Sequence, residues 1–211
     1  MNENFVTLNG PGEGEYEEKN SVFIGYAAPI SSEDDALAII KSKKKEYYDA
    51  RHNVWAYVLP DGVTQRYSDD GEPQGTGGMP TLSVITKRGI CGACVVVTRY
   101  FGGTLLGAGG LVRAYTQAAS AAIDAAGIKR FDRFTGVEIK LSYSDYQKLG
   151  KLLAPYHIID TETDYSDSVT VSFSVKSDEA QTLLDSFTEI SAGRWSVSLT
   201  GEKWGCVCEQ I

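Results

Sequence analysis

Long hydrophobic runs are missing from this sequence of 211 residues. No apolar stretch approaches the roughly 18 residues that a membrane-spanning helix requires. The acidic, Gly-rich start, Met1 to Glu18, also lacks the basic residues and apolar stretch of a secretory signal peptide. We therefore expect a cytoplasmic protein without membrane contact, in which residues 1–18 form a loose leader.

Standard catalytic signatures are absent as well. The sequence contains no Gly-x-Ser-x-Gly or His-Glu-x-x-His motif, no Walker loop and no Rossmann fingerprint. It has only two histidines, His52 and His157, and His157 has no evident partner in the sequence. These absences favour a protein without catalytic activity, although they leave an unusual enzyme open.

Cysteines are few, and they occur as two close pairs. A disulfide framework is not expected in a cytosolic chain of this size. Cys91-x-x-Cys94 precedes a predicted strand, whereas a thioredoxin-like motif opens a helix that lowers a thiol pKa. A zinc site would require this pair to meet Cys206-x-Cys208. The pattern predicts no cofactor, and the role of the four thiols stays open.

Positive charge is scarce, particularly in the C-terminal part. The net charge is −8: 13 Lys and Arg oppose 15 Asp and Glu up to Phe131, and 7 oppose 13 after it. Non-specific nucleic-acid binding depends on basic patches. We therefore expect no generic nucleic-acid binding, and any RNA contact would need a local patch in the N-terminal part.

Hydrophobic periodicity predicts an α+β protein of two domains, 1–131 and 135–211, with a linker near Asp132–Gly136. In the second domain the elements follow the order β-α-β-β-α-β, which is typical of a ferredoxin-like fold. In the first, a helix capped by Ser32 and Asp35 is predicted after the first strand. The other first-domain predictions are strands 22–28, 53–59, 63–67 and 93–100 and helices 80–88 and 111–126.

A polar loop, Ser68 to Gly78, concentrates three carboxylates: Asp69, Asp70 and Glu72. Together with His52 at a helix–strand junction, they are candidate acid and base groups, and the carboxylates alone are candidate ligands for Mg²⁺. The alternative is a solvated turn in which the aspartates accept backbone hydrogen bonds. Chemistry alone does not separate these interpretations, and the simpler expectation is that no metal is bound.

A second segment, from Arg99 to Arg113, is rich in glycine and precedes a predicted helix. Glycines let backbone N–H groups approach a ligand, and a helix N-terminus favours anions. The alternative role of these glycines is tight strand–helix packing. The candidate binding residues for a small anionic ligand are Thr76, Arg99, Tyr100, Gly102, Gly103, Gly109, Gly110 and Arg113.

These two segments, with the motifs Ala50-Arg-His52 and Trp55-Ala-Tyr57, closely resemble the Impact/YigZ family. The match covers most of residues 15–127, and the C-terminal half is similar to the bacterial branch. The resemblance implies a first domain like the second domain of a small-subunit ribosomal protein, the fold also found in galactokinase-type kinases. It also implies a second domain similar to the last domain of elongation factor G.

The resemblance further implies a link to translation. We therefore expect a regulatory or binding protein without catalytic activity, whose partner is a ribosome or a translation factor. The alternative is an enzyme, a hydrolase or one acting on a phosphorylated substrate, that uses the loop Asp69-Asp-Gly-Glu72, with Mg²⁺ in one version.

Overall fold

The computed structural model describes residues 4–207, which fold into two compact units. The first is Phe5–Arg130 and the second contains the chain from Phe131 onward. The described residues form five helices and ten strands arranged in two sheets, so the chain is a mixed α/β protein.

The first unit contains a five-stranded sheet in the order β2-β3-β6-β4-β5, whose neighbours pair antiparallel. Helices α2 and α3 pack on one face of it, over the larger apolar core, and α1 covers part of the other face. The elements are β1 (Asn4–Leu8), β2 (Gly12–Glu18), β3 (Ser21–Pro29), α1 (Glu33–Glu46), β4 (His52–Val58), β5 (Gln65–Ser68), α2 (Gly78–Lys87), β6 (Ala93–Tyr100) and α3 (Gly107–Ala126).

Local sequence signals account for the helices of this unit. At the start of α1, Ser32 and Asp35 form the predicted capping box. Helix α3 buries a face of small and apolar residues around Tyr115, but it begins four residues earlier than expected, at Gly107. Helix α2 also begins earlier, at Gly78.

Residues 1–18 are not a loose leader where the structure describes them, because they contain strands β1 and β2. Strand β2 runs against α3 so closely that a Cβ on Gly12 would lie 2.1 Å from the backbone nitrogen of Ala126. A Cβ on Gly14 would likewise lie 2.6 Å from the Cβ of Ala121. The glycines that suggested a flexible leader are therefore required for close strand–helix packing.

The second unit contains most of β7 (Ile128–Leu141), then α4 (Tyr143–Leu153), β8 (Ile158–Tyr165), β9 (Val169–Lys176), α5 (Ala180–Ser191) and β10 (Ser196–Val207). Strand β9 lies between β7 and β8, and β10 pairs with β7. The expected linker near Asp132–Gly136 is wrong, because these residues lie inside β7. Asp132, Phe134 and Thr135 are buried there, whereas linker residues would be exposed.

The longest helix among the described residues, α3, has 20 residues, and much of its buried face is alanine. No helix within residues 4–207 is long and apolar enough to cross a membrane.

Candidate functional site

Three neighbouring strands place the central side chains of the candidate site in one row. Arg99 on β6 lies opposite His52 on β4 and opposite Phe23 on β3. All three residues lie near one end of the sheet, where β6 leads into the Gly-rich segment. Sheet register, which only the folded structure shows, therefore brings together residues that are far apart in the sequence.

The acidic loop contributes a buried ion pair to this row. Glu72 Oε1 accepts hydrogen bonds from Arg99 Nη1 at 2.6 Å and from the Tyr115 hydroxyl at 2.9 Å. The side chains of Glu72 and Arg99 are only 3% and 8% exposed. Burial, and to a smaller extent the negative charge of Glu72, raises the pKa of Tyr115, so the phenol stays protonated and remains a donor.

The guanidinium of Arg99 lies between two aromatic rings. Its central carbon is 5.5 Å from the centroid of Phe23 and 5.6 Å from that of Phe101. Its Nε atom is buried and has no hydrogen-bond partner among residues 4–207. Cation–π contacts with both rings stabilise the cation but do not replace the missing acceptor.

Asp69 organises the backbone of the loop. Its carboxylate accepts N–H bonds from Gly75, Gly77 and Gly78 at 2.8–3.0 Å. Burial acts to raise the pKa of Asp69, but the three N–H bonds outweigh it, and the pKa lies below its ordinary value. Asp69 therefore ties the loop to the start of α2, as in the turn interpretation of the sequence.

Asp70 faces α1 and β4. Its carboxylate accepts a bond from Lys44 Nζ at 2.5 Å and from the backbone N–H of Asn53 at 2.7 Å. Its carbonyl oxygen lies 2.9 Å from Nδ1 of His52. Because a carbonyl can only accept, Nδ1 carries the proton, and Nε2 holds the lone pair when the imidazole is neutral.

The three carboxylates therefore have separate partners and do not converge. Thr76 has an internal partner too, because its hydroxyl donates to the carbonyl of Pro73 at 2.6 Å. Within residues 4–207, no group of three or more His, Cys, Asp or Glu side chains is placed to hold a metal ion. The proposed Mg²⁺ site at Asp69, Asp70 and Glu72 thus lacks the geometry that it requires.

The start of the Gly-rich segment is a turn fixed by close packing. The backbone N–H of Gly102 donates to Ser21 Oγ at 3.0 Å, and a Cβ on Gly102 would lie 2.0 Å from the carbonyl carbon of Asn20. Gly103 has a φ of 84°, which favours glycine. The neighbouring Tyr100 donates to Asp49, and this bond raises its pKa to about 12.

The rest of the segment forms the first turns of α3. Gly109 is open to solvent, whereas Gly110 is buried against Leu106. Arg113 is exposed on α3 and does not line the cavity at Arg99. The structure thus does not join Arg99 and Arg113 in one pocket.

A cavity of about 280 Å³ opens beside Arg99. It is lined by Arg51, His52, Arg99, Phe101 and Leu105. Phe101 is 49% exposed and Leu105 is 83% exposed. Arg51, Phe101 and Leu105 were not predicted from the sequence as binding residues. For Phe101 and Leu105 the available signal was a large apolar side chain in a polar, Gly-rich segment.

Neither cysteine of the first unit, Cys91 or Cys94, lines this cavity. Cys91 and Cys94 are buried, and burial raises the pKa of both thiols, that of Cys94 to about 12. Cys206 is partly exposed, and Cys208 lies outside the described residues. In the second unit, His157 Nδ1 contacts Glu179 at 2.7 Å.

Comparisons with known proteins agree with this organisation. Residues 19–123 match the Impact N-terminal domain, and residues 139–194 match a domain of unknown function, DUF1949. A solved structure described as that of a hypothetical protein is 29% identical and covers 93% of this chain and 97% of its own, with a TM-score of 0.59.

Curated relatives extend the match over most of the chain. The IMPACT family member YvyE of Bacillus subtilis is 36% identical over 203 residues, which are 92% of this chain and 90% of the relative. The IMPACT family member YigZ of Escherichia coli is 37% identical over 140 residues, 65% of this chain and 69% of the relative. The chain therefore belongs to the IMPACT family.

Proposed function

We propose that this protein is a cytoplasmic, non-catalytic binding protein that acts in the regulation of translation. The observation that carries the proposal is the contrast between the loop and the cavity. Asp69, Asp70 and Glu72 are engaged in internal bonds that hold the fold, while the cavity presents cationic and apolar side chains. Such a surface suits recognition better than proton transfer.

The enzyme alternative has less support. An acid or base needs a proton-transfer atom that can reach a substrate. Of the four candidate groups, Glu72 is enclosed and paired with Arg99, and Asp69 and Asp70 hold backbone amides. His52 lines the cavity, so Nε2 is the single candidate base that the enzyme alternative retains.

The finer fold assignments belong to the same proposal. We infer a ferredoxin-like second domain from the order β7-α4-β8-β9-α5-β10 and the position of β9 between β7 and β8. For the first domain, the likeness to a ribosomal-protein domain rests on the family resemblance. Both assignments are compatible with a partner that is a ribosomal particle or a translation factor.

Co-sedimentation with ribosomal particles across a salt series tests the proposal. We expect association that weakens as salt rises, because cationic contacts release counterions. The variant Arg51→Gln/Leu105→Ser changes two exposed side chains of the cavity and should abolish association. Arg99→Ala is unsuitable, since it would leave Glu72 buried without its partner.

The matched control is Arg66→Gln/Val63→Ser, which alters an exposed arginine and an exposed apolar residue outside the cavity. It should sediment like the wild type. No association of the wild-type protein at low salt would remove the ribosomal partner from the proposal. Equal loss in the control and the cavity variant would show that the cavity is the wrong surface.

A further inference from the structure

The strongest unexplained feature of the molecule is the unpartnered Nε of Arg99. An arginine that is about nine-tenths buried normally has acceptors for its N–H groups, because a buried donor without one is destabilising. Here Glu72 occupies Nη1, and Nε has no acceptor among the described residues. Arg99 also lines the cavity, so a ligand with acceptor groups bound there would lie against an arginine whose hydrogen bonds are incomplete.

The charge of the cavity identifies the kind of acceptor. Two arginines and a histidine line it, and none of its lining residues is acidic. Glu72 neutralises Arg99 in part, so Arg51 supplies the main net positive charge at the mouth. In a protein of net charge −8, this local excess of cationic groups favours an anion. Arginine forks match phosphoryl oxygens in particular.

The size and the apolar wall extend the inference beyond a bare anion. A volume of about 280 Å³ is near the lower end of small-molecule sites, so it accommodates one compact ligand. Phe101 is 49% exposed, and its ring centroid lies 5.6 Å from the guanidinium carbon of Arg99. An exposed aromatic ring beside arginines is the arrangement on which nucleic-acid bases stack.

We propose that this cavity binds a single phosphorylated nucleotide unit. The phosphoryl group lies against Arg51, His52 and Arg99, and the base stacks on Phe101. The acidic surface elsewhere limits recognition to one unit rather than an extended strand. The inference rests on the proposal that this cavity is the binding surface, and it names the ligand chemistry that the surface recognises.

Titration calorimetry and ³¹P NMR with the full chain test this inference with defined probes. The probes are AMP, ribose 5-phosphate, inorganic phosphate and adenosine. AMP should bind best, ribose 5-phosphate more weakly, and adenosine at least tenfold more weakly than AMP, because the charge-assisted bonds are lost. Binding of adenosine as tight as that of AMP, or no binding of any phosphorylated probe at millimolar concentration, would overturn the inference.

Three variants separate the parts of the site. Arg51→Gln should weaken AMP binding about tenfold or more. Phe101→Leu should weaken AMP about fivefold to 100-fold but leave ribose 5-phosphate nearly unchanged. Arg66→Gln is the exposed control outside the cavity and should bind AMP like the wild type. Equal effects of Arg51→Gln and Arg66→Gln would place any binding elsewhere.

A nucleotide unit can come from a free mononucleotide or from an RNA end. A tetranucleotide with a 5′-phosphate, compared with the same RNA lacking it, distinguishes these sources. Tighter binding of the phosphorylated RNA than of AMP identifies an RNA end, and the reverse identifies a free nucleotide. Suppose that the protein associates with ribosomes, that Arg51→Gln/Leu105→Ser abolishes this association, and that no phosphorylated probe binds. This inference would then be wrong, while the proposed function would still be supported. AMP binding without ribosome association would support this inference and contradict the proposed ribosomal partner.

Discussion

The ion pair between Glu72 and Arg99 is expected to be a main determinant of the stability of the first unit. The replacement Glu72→Gln keeps the size and one acceptor but removes the negative charge. The side chains of Glu72 and Arg99 are 3% and 8% exposed, so the guanidinium of Arg99 would stay buried without a counter-charge. Breaking such a pair typically destabilises a protein by about 3–5 kcal/mol. Because Gln still accepts from Tyr115, we expect the lower end, about 3 kcal/mol.

Hydrogen exchange measured by mass spectrometry can report this loss for the first unit alone. The amides of β6 lie in the centre of the sheet, so they exchange through the largest opening of that unit. A loss of about 3 kcal/mol should accelerate their exchange more than about 100-fold. Glu17→Gln, on the exposed side of β2, is the matched control and should change it little.

If Glu72→Gln accelerated exchange of the β6 amides less than about fivefold, as little as Glu17→Gln, the reasoning would be refuted. The carboxylate of Glu72 would then be dispensable for folding and available for chemistry, which would strengthen the enzyme alternative. The double variant Glu72→Gln/Arg99→Met adds a second criterion. It should be more stable than Glu72→Gln alone, because it removes the unpaired charge.

Three further predictions concern the loop, the turn and the thiols. Asp69→Asn should destabilise the protein by about 2 kcal/mol, since an amide group cannot accept all three N–H bonds. Folding lowers the pKa of Asp69, so in acid-unfolding curves this difference should be constant above the ordinary pKa of ~3.9, decrease below it, and disappear once pH has passed the lower pKa of the folded state. A constant difference at lower pH would contradict the assignment. Gly102→Ala should destabilise strongly in thermal unfolding, because its Cβ meets the backbone of Asn20, whereas Gly109→Ala in the open first turn of α3 should stabilise by about 0.5 kcal/mol; equal effects would contradict the packing argument. Cys94 should resist iodoacetamide at pH 8 until the protein unfolds, because burial raises its thiol pKa to about 12, and labelling of the folded protein at the rate of a free thiol would contradict this.

Much of the fold was predictable where one local pattern determines one element. The capping box at Ser32 and Asp35 specifies the start of α1 through bonds within four residues. The small and apolar residues of α3 recur at helical spacing, and Tyr115 among them is buried. Such signals depend on neighbours in the sequence and are therefore readable without a structure.

Strand β2 was not predictable in the same way. Its sequence, Gly-Glu-Gly-Glu-Tyr-Glu-Glu, has low strand propensity and resembles a solvated tail. It forms a strand because Gly12 and Gly14 allow α3 to approach and because β3 supplies hydrogen-bond partners. Both causes are tertiary, so composition pointed in the wrong direction.

The candidate site was predictable as a set of motifs but not as a geometry. The sequence identifies Arg99, His52 and the acidic loop, yet it does not show that Glu72 turns inward while Asp69 and Asp70 bind backbone amides. The division of roles depends on backbone conformation, including a positive φ at Asp70. Arg51 and Phe101 acquire importance only through the cavity that they line.

Strand β2 also bears on how the protein avoids association with its own copies. It is an edge of the five-stranded sheet, and an edge strand offers unpaired backbone groups to any other strand. Glu15 and Glu17 are exposed on this edge and would repel the same strand of a second molecule, whereas Glu13 is paired with Lys43. The acidic composition that made β2 look like a solvated tail thus protects the sheet against edge-to-edge aggregation, and a variant with glutamine at positions 15 and 17 should aggregate faster during refolding.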